Sequence, residues 1–121
     1  MPSKHADYVR YIAEDLLAGL PHITVKRMFG GHGFYFEGRM FGLEADGRIY
    51  FKVDEQSQPD YELAGSEPFR YSSKDRTSVT MSYWTLPDDV LEDHEKAVMW
   101  AEKAIQAARR SSMKKKKPRH T

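Results

Sequence analysis

The sequence predicts an α+β domain: an N-terminal helix, an antiparallel β-meander plus second hairpin, and a C-terminal helix packed on the sheet. Three observations carry this prediction. Apolar residues recur at helical spacing near both ends of the 121-residue chain. Between these ends they alternate with polar residues, and glycine-containing pairs separate the alternating segments.

The first helix is predicted over residues 4–20. One apolar stripe runs along it, formed by Val9, Ile12, Ala13, Leu16, Leu17 and Leu20. Pro21 then stops the helix. From Ile23 the period changes to two, so residues 23–29 are predicted to form a strand.

The meander is predicted from two tight turns, Glu37-Gly38 and Asp46-Gly47. Asp-Gly between alternating segments favours a hairpin, because type I′ turns need positive φ. The turns separate three strands, at 34–36, 39–45 and 48–53.

The rest of the chain adds a short helix or turn at 54–65 and a second strand pair at 69–71 and 78–84. Asp93 is the predicted N-cap of a last helix that runs from Glu95 to about Arg110, with a stripe of small residues that lets it pack closely. The domain is therefore predicted to span 1–110.

The charge is divided unevenly. Residues 1–108 carry 12 Lys and Arg against 18 Asp and Glu, a net −6, whereas residues 109–121 carry 7 Lys and Arg and no acid, a net +7. We expect 111–121 to be a disordered basic tail. Its cations can contact phosphates or anionic surfaces, and they are Lys114, Lys115, Lys116, Lys117 and Arg119. An acidic body is not typical of a dedicated nucleic-acid reader.

Composition excludes several classes of function. The chain has no cysteine, which excludes disulfides, thiol catalysis and thiolate zinc sites. No apolar run approaches the roughly 18 residues that span a membrane, and the N-terminus lacks the pattern of a secretory signal. We expect a cytoplasmic protein that binds no membrane.

No motif indicates catalysis, a cofactor or a metal. The run Gly30-Gly31-His32-Gly33 leads into a strand and lacks Gly-Lys-Ser/Thr, so it is interpreted as a bend or bulge where strands must approach closely, rather than as a phosphate loop. The five histidines show no i, i+4 pair, and there is no Gly-x-Ser-x-Gly elbow. Paired acids such as Asp88-Asp89 lie at predicted helix starts, where capping explains them.

Cations and aromatic residues interleave in the predicted sheet, as in proteins that hold single-stranded nucleic acid by stacking and charge. They are Lys26, Arg27, Arg39, Arg48, Tyr50, Lys52, Arg70 and Tyr71. The RNP pattern of an RNA-recognition domain is absent, and acids are interspersed. The alternative is an ordinary solvated face over a core.

Residues 25–43, Val-Lys-Arg-Met-Phe-Gly-Gly-His-Gly-Phe-Tyr-Phe-Glu-Gly-Arg-Met-Phe-Gly-Leu, resemble the N-terminal domain of the TfoX (Sxy) family. That family shows an Arg-Met-Phe-Gly-Gly-x-Gly run, a short strand, a glycine turn and a Met-Phe strand. Later segments resemble further family elements in the same order, at 48–54, 67–71, 81–87 and Trp100-Ala101.

The resemblance implies a role as a regulator of natural competence in bacteria, acting with the cyclic-AMP receptor protein. It supplies no catalytic residues. Founding members carry a second, C-terminal helical domain, and here a lysine tail stands in that place, so we expect a stand-alone version.

Three hypotheses follow. The first is a non-enzymatic regulatory or adaptor domain that acts through protein contacts in transcription regulation. The second is nucleic-acid binding through the tail and the sheet, and the third is a small-molecule or enzyme site at Gly30–Gly33. Candidate contacts are Arg27 and Lys52, cations in the two most family-like strands, and His32. A homodimer through an exposed sheet edge is a further expectation.

Overall fold

The computed structural model of the chain describes residues 4–28, 31–73 and 76–116, and only the backbone at 4, 5, 70–73, 76–81 and 112–116. Its elements are α1 (Lys4–Tyr11), a π-helical turn (Ile12–Leu16), β1 (Thr24–Met28), β2 (Gly31–Phe36), β3 (Arg39–Ala45), β4 (Arg48–Lys52), α2 (Gln58–Leu63), β5 (Pro68–Ser73), β6 (Arg76–Thr85), α3 (Asp88–Leu91) and α4 (His94–Lys116). The predicted α+β fold class is confirmed.

The described strands form one antiparallel sheet in the order β1-β2-β3-β4-β6-β5. The predicted meander is β2-β3-β4. The second hairpin joins it through β6, which pairs with β4, so both blocks share one sheet. The strand β1 lies at the opposite edge and pairs with β2 alone within this sheet.

Both predicted meander turns are present, and both have the positive φ that was predicted for Asp46-Gly47. Glu37 and Gly38 have φ of 55° and 81°, and Asp46 and Gly47 have φ of 56° and 83°. Positive φ at both central residues is the type I′ pattern, whose twist matches that of the flanking strands.

The main core lies between one sheet face, here called the helix face, and the helices that cover it. The buried rings of Phe34, Phe41 and Phe51 follow one another across β2, β3 and β4, with centroids 6.4 and 5.6 Å apart. Five alanines of α4 are fully or almost fully buried, and they are Ala97, Ala101, Ala104, Ala107 and Ala108. The small side chains therefore let α4 lie close, as predicted.

The first helix differs from its prediction. The α-helix ends at Tyr11, and a π turn continues to Leu16, closed by the Leu17 N–H donating to the Ile12 carbonyl at 2.9 Å. The wider turn brings Ile12, Leu16 and Leu17 onto the core side together, each at most 4% exposed. A regular helix to Leu20 was therefore a wrong expectation.

Two boundaries also differ. Gly31, His32 and Gly33 belong to β2, so the described part of the glycine run continues the sheet instead of breaking it; residues 29 and 30 lie outside the described residues. The helix α4 runs to Lys116, past the predicted end at Arg110, so the backbone of 111–116 is helical where we expected disorder. Asp93 caps α4 as predicted, its Oδ1 accepting the N–H groups of Glu95 and Lys96 at 2.9 and 3.2 Å.

Candidate functional site

A buried carboxylate and a histidine form a cross-strand pair on the helix face. His32 of β2 lies opposite Glu44 of β3, and its Nδ1 is 2.7 Å from Glu44 Oε1. Glu44 is 1% exposed, and its Oε2 accepts the N–H of Gly47 at 2.7 Å. Burying a carboxylate is costly unless hydrogen bonds replace its water, and this arrangement supplies them on both oxygens.

The pairing fixes which histidine nitrogen is left for a ligand. An ionised carboxylate has only acceptors, so Nδ1–H donates to Glu44 and Nε2 remains the other nitrogen of the ring. The His32 side chain is 12% exposed and lines a groove. The pair therefore places His32 in the wall of a groove that apolar and polar side chains line together.

The groove lies between α1, the π turn and β1, and its volume is about 640 Å³. Its apolar walls include Ala18 and Leu20, which precede β1, and Val25 within β1. The chain enters β1 at His22, whose φ of 62° is uncommon for a residue other than glycine. The π turn is anchored from the other side, because Nδ1 of His94 lies 2.9 Å from the Leu16 carbonyl.

Close packing explains the two described glycines of the run. A Cβ on Gly31 would lie 2.1 Å from the backbone oxygen of Glu44. A Cβ on Gly33 would lie 2.8 Å from the sulfurs of both Met28 and Met40. The expected close approach of strands is confirmed. The bulge, however, lies after Gly33, where the register between β2 and β3 shifts at Phe34/Tyr35.

The structure separates the predicted contact residues. Arg27 lies opposite His32 in the β1–β2 pair and is exposed, so these two are brought together. Lys52 lies on the other sheet face, with its Nζ 5.2 Å from the centre of the Tyr83 ring and 2.7 Å from Ser82 Oγ. Asp54, two residues after Lys52, forms an ion pair with Arg110.

Two rings of the second sheet face, both within the described residues, are buried and so are not available for the stacking that the nucleic-acid hypothesis needs. Tyr50 and Tyr83 are each 7% exposed and pack with Leu43, Met40 and Phe69. Burial raises the pKa of Tyr83 to about 12, and its hydroxyl donates to the Met40 carbonyl at 3.3 Å. These two tyrosines are core residues.

The tail cations fall into two sets. Lys114, Lys115 and Lys116 lie on the last helical turns of α4, where only the backbone is described. Lys117 and Arg119 lie outside the described residues. Arg70 and Tyr71 of β5 likewise have no described side chains.

Sequence reasoning missed the role of Glu44. The sequence carries no local signal for this role, because strict alternation from the core residue Phe41 would put Glu44 on the opposite face. The register shift between β2 and β3 at Phe34/Tyr35 puts Gly42 opposite Phe34 and so turns Glu44 towards the core. Among the described residues no group of three or more His, Asp or Glu is placed to hold a metal ion. The same part of the chain contains no helix that is long and apolar enough to cross a membrane.

Comparison with known proteins gives two matches. The family model for the TfoX N-terminal domain matches residues 15–108. A protein of Aliivibrio fischeri (strain ATCC 700601 / ES114), named DNA transformation protein TfoX1, is 35% identical over 77 residues. That match covers 64% of this chain and 34% of the relative, so it spans about a third of the relative's length.

Proposed function

Because the chain belongs to the TfoX N-terminal domain family, we propose that it is a non-enzymatic regulatory or adaptor domain that acts through protein contacts in transcription regulation. The relative's name, DNA transformation protein, supports competence as the process regulated. The observation that carries the proposal is the groove beside β1, where apolar side chains alternate with Arg10, Glu14 and two histidines next to a sheet edge. Apolar surface beside exposed backbone groups suits a protein partner.

A genetic experiment tests the proposal. A strain lacking the gene is complemented with wild type, with Ala18→Arg or with Ala64→Arg, and transcripts and DNA uptake are measured. Both alanines are exposed, but Ala18 lines the groove whereas Ala64 follows α2, away from it. Ala18→Arg should behave like the deletion, and Ala64→Arg like wild type. Unchanged transcripts in the deletion strain would contradict the proposal.

Direct nucleic-acid binding is the competing outcome. Tail cations would bind phosphates without sequence preference, and the affinity would fall steeply with salt. A gel shift with the full chain and with a chain ending at residue 110 distinguishes the two. Binding that survives tail removal and moderate salt would favour a nucleic-acid function over protein contacts.

The His32–Glu44 pair favours a second candidate function, binding of a small molecule in the groove. A neutral His32 presents Nε2 as an acceptor for a ligand's N–H or O–H. The ¹⁵N chemical shift of Nε2, recorded while a fragment library is added, tests this idea. If no fragment changes the chemical shift of a histidine nitrogen or of a backbone amide in the groove, the small-molecule hypothesis is contradicted and the protein-partner proposal is favoured.

A further inference from the structure

The outer side of β1 is an unpaired sheet edge within the described residues. In the strand order, β1 has β2 on one side and no strand on the other. Thr24, Lys26 and Arg27 are exposed. Such an edge offers backbone N–H and C=O groups to any chain that can lie beside it.

A second copy of the chain is a poor occupant of this edge. Antiparallel pairing of two β1 strands about their centre would bring Lys26 of one copy directly opposite Lys26 of the other. Like charges directly opposite one another destabilise a strand pair. Lysine on an edge strand is a common means of preventing such self-association. The charge of β1 therefore disfavours the expected homodimer at this edge.

The two cations of β1 have no acidic partner among the described residues. The Nζ of Lys26 lies 4.9 Å from the centre of the Tyr35 ring, and no carboxylate with a described side chain is within ion-pair distance of Lys26 or Arg27. On α4, by contrast, Lys96, Lys103 and Arg109 each pair with an acid. The exposed edge of β1 therefore carries positive charge that acidic side chains of a partner can complement.

The side chains of β1 determine which residues of an added strand would fit opposite each position. Val25 and Arg27 share the helix face; Val25 lines the groove, and Arg27 lies opposite His32, which also lines it. Lys26 points to the other face. A strand beside β1 would therefore suit acidic side chains opposite Arg27 and Lys26, and apolar ones opposite Val25 and Ile23.

From this juxtaposition we propose that the outer edge of β1 binds an extended segment of a partner protein as a further β-strand. The segment carries two consecutive acidic residues followed by alternating apolar residues. Main-chain hydrogen bonds to β1 would supply affinity, and the groove and the two cations would supply specificity. The inference rests on the proposed function, since it names the partner chemistry of that same surface.

A peptide experiment on the full chain tests the proposal. The probe is a fluorescent peptide, Thr-Glu-Glu-Val-Thr-Val-Thr, used with its reversed sequence so that both strand directions are sampled. One control replaces both Glu by Lys. The other keeps the sequence but carries N-methyl groups on alternate amides, which block strand pairing. Binding is measured by fluorescence anisotropy and located by amide chemical shifts.

The acidic peptide should bind with shifts centred on residues 23–27, and both controls should bind more weakly. The Arg27→Glu substitution should weaken binding of the acidic peptide by about tenfold or more. The same variant should bind the lysine peptide more tightly than the wild-type chain does. Arg48→Glu is the matched control, because Arg48 is an exposed cation at the start of β4 and should leave binding unchanged. Shifts elsewhere, equal binding of the N-methylated peptide, or no binding of either acidic sequence would overturn the proposal.

Failure of strand addition and failure of the adaptor function give different results. If the Arg27→Glu variant still captures a partner that the wild-type chain captures in cells, the strand-addition proposal fails while the adaptor function stands. If the wild-type chain captures no partner, the adaptor function fails whether or not the peptides bind.

Discussion

The carboxylate of Asp54 accepts two hydrogen bonds from the guanidinium of Arg110, at 2.5 Å from Nε and 2.9 Å from Nη2. These residues are 56 positions apart in the chain, and their pair joins the segment that follows β4 to the last third of α4. The guanidinium, together with hydrogen bonds from Ser57, lowers the pKa of Asp54 from 3.8 to about 2.

Asp54→Asn should lower the free energy of unfolding at neutral pH by about 1–2 kcal/mol, an amount reduced by the partial exposure of both side chains. Because the folded-state pKa is depressed, this contribution is present above pH 3.8 and is lost as the pH falls towards 2. Urea titration of both proteins at neutral and acidic pH measures it. Asp60→Asn, at the more exposed pair with Lys103, is the control and should cost less than about 1 kcal/mol.

Tyr61→Phe should stabilise the protein or leave it unchanged. The ring is fully buried against Trp100, with centroids 4.6 Å apart, and its hydroxyl has no hydrogen-bond partner among the described residues. Removing an unsatisfied buried hydroxyl removes a penalty of about 1 kcal/mol. Thermal denaturation tests this, with Tyr83→Phe as the contrast, since that hydroxyl donates to Met40 and its loss should be destabilising.

Gly31→Ala should destabilise the protein by about 3 kcal/mol or more, because its Cβ would collide with the backbone oxygen of Glu44 and push β2 from β3. Gly19→Ala serves as the control, since the nearest atom to its Cβ is a Val98 methyl at an ordinary 3.5 Å. Equal stability of the two variants, measured by chemical denaturation, would refute the packing account of the glycine run.

Glu44→Ala should cost about 3 kcal/mol, because it leaves the Gly47 N–H and the His32 ring without their buried acceptor. Glu37→Ala removes an exposed acid that pairs with Arg109, and should cost under about 1 kcal/mol. Both are measured by urea titration. A small effect at Glu44 would mean that the carboxylate is not needed to hold His32 at the groove.

The meander was predictable because its signals are local. Asp46-Gly47 and Glu37-Gly38 specify type I′ turns by their own backbone preferences, and the strands on either side alternate. The Asp93 cap and the small-residue stripe of α4 are equally local. These features need no knowledge of what lies across the sheet.

The groove was not predictable, because it depends on distant contacts. Glycine has low strand propensity, so Gly31 and Gly33 looked like a break, and only the close approach of Glu44, Met28 and Met40 explains them as strand. The pairing of His32 with Glu44 depends on a register that includes a bulge. The π turn depends on core packing of Leu16 and Leu17, which overrides the regular helical pattern.

The central claim is that this domain acts through a protein partner bound at the groove. Photo-crosslinking in cells tests this claim most directly. A photoreactive amino acid is placed at Ala18 in the groove or at Ala64 as the control, and crosslinked products are identified by mass spectrometry. The account predicts one discrete protein crosslinked from position 18, absent from position 64 and lost when Arg27→Glu is added. Nucleic acid alone at position 18, or the same products from both positions, would contradict it.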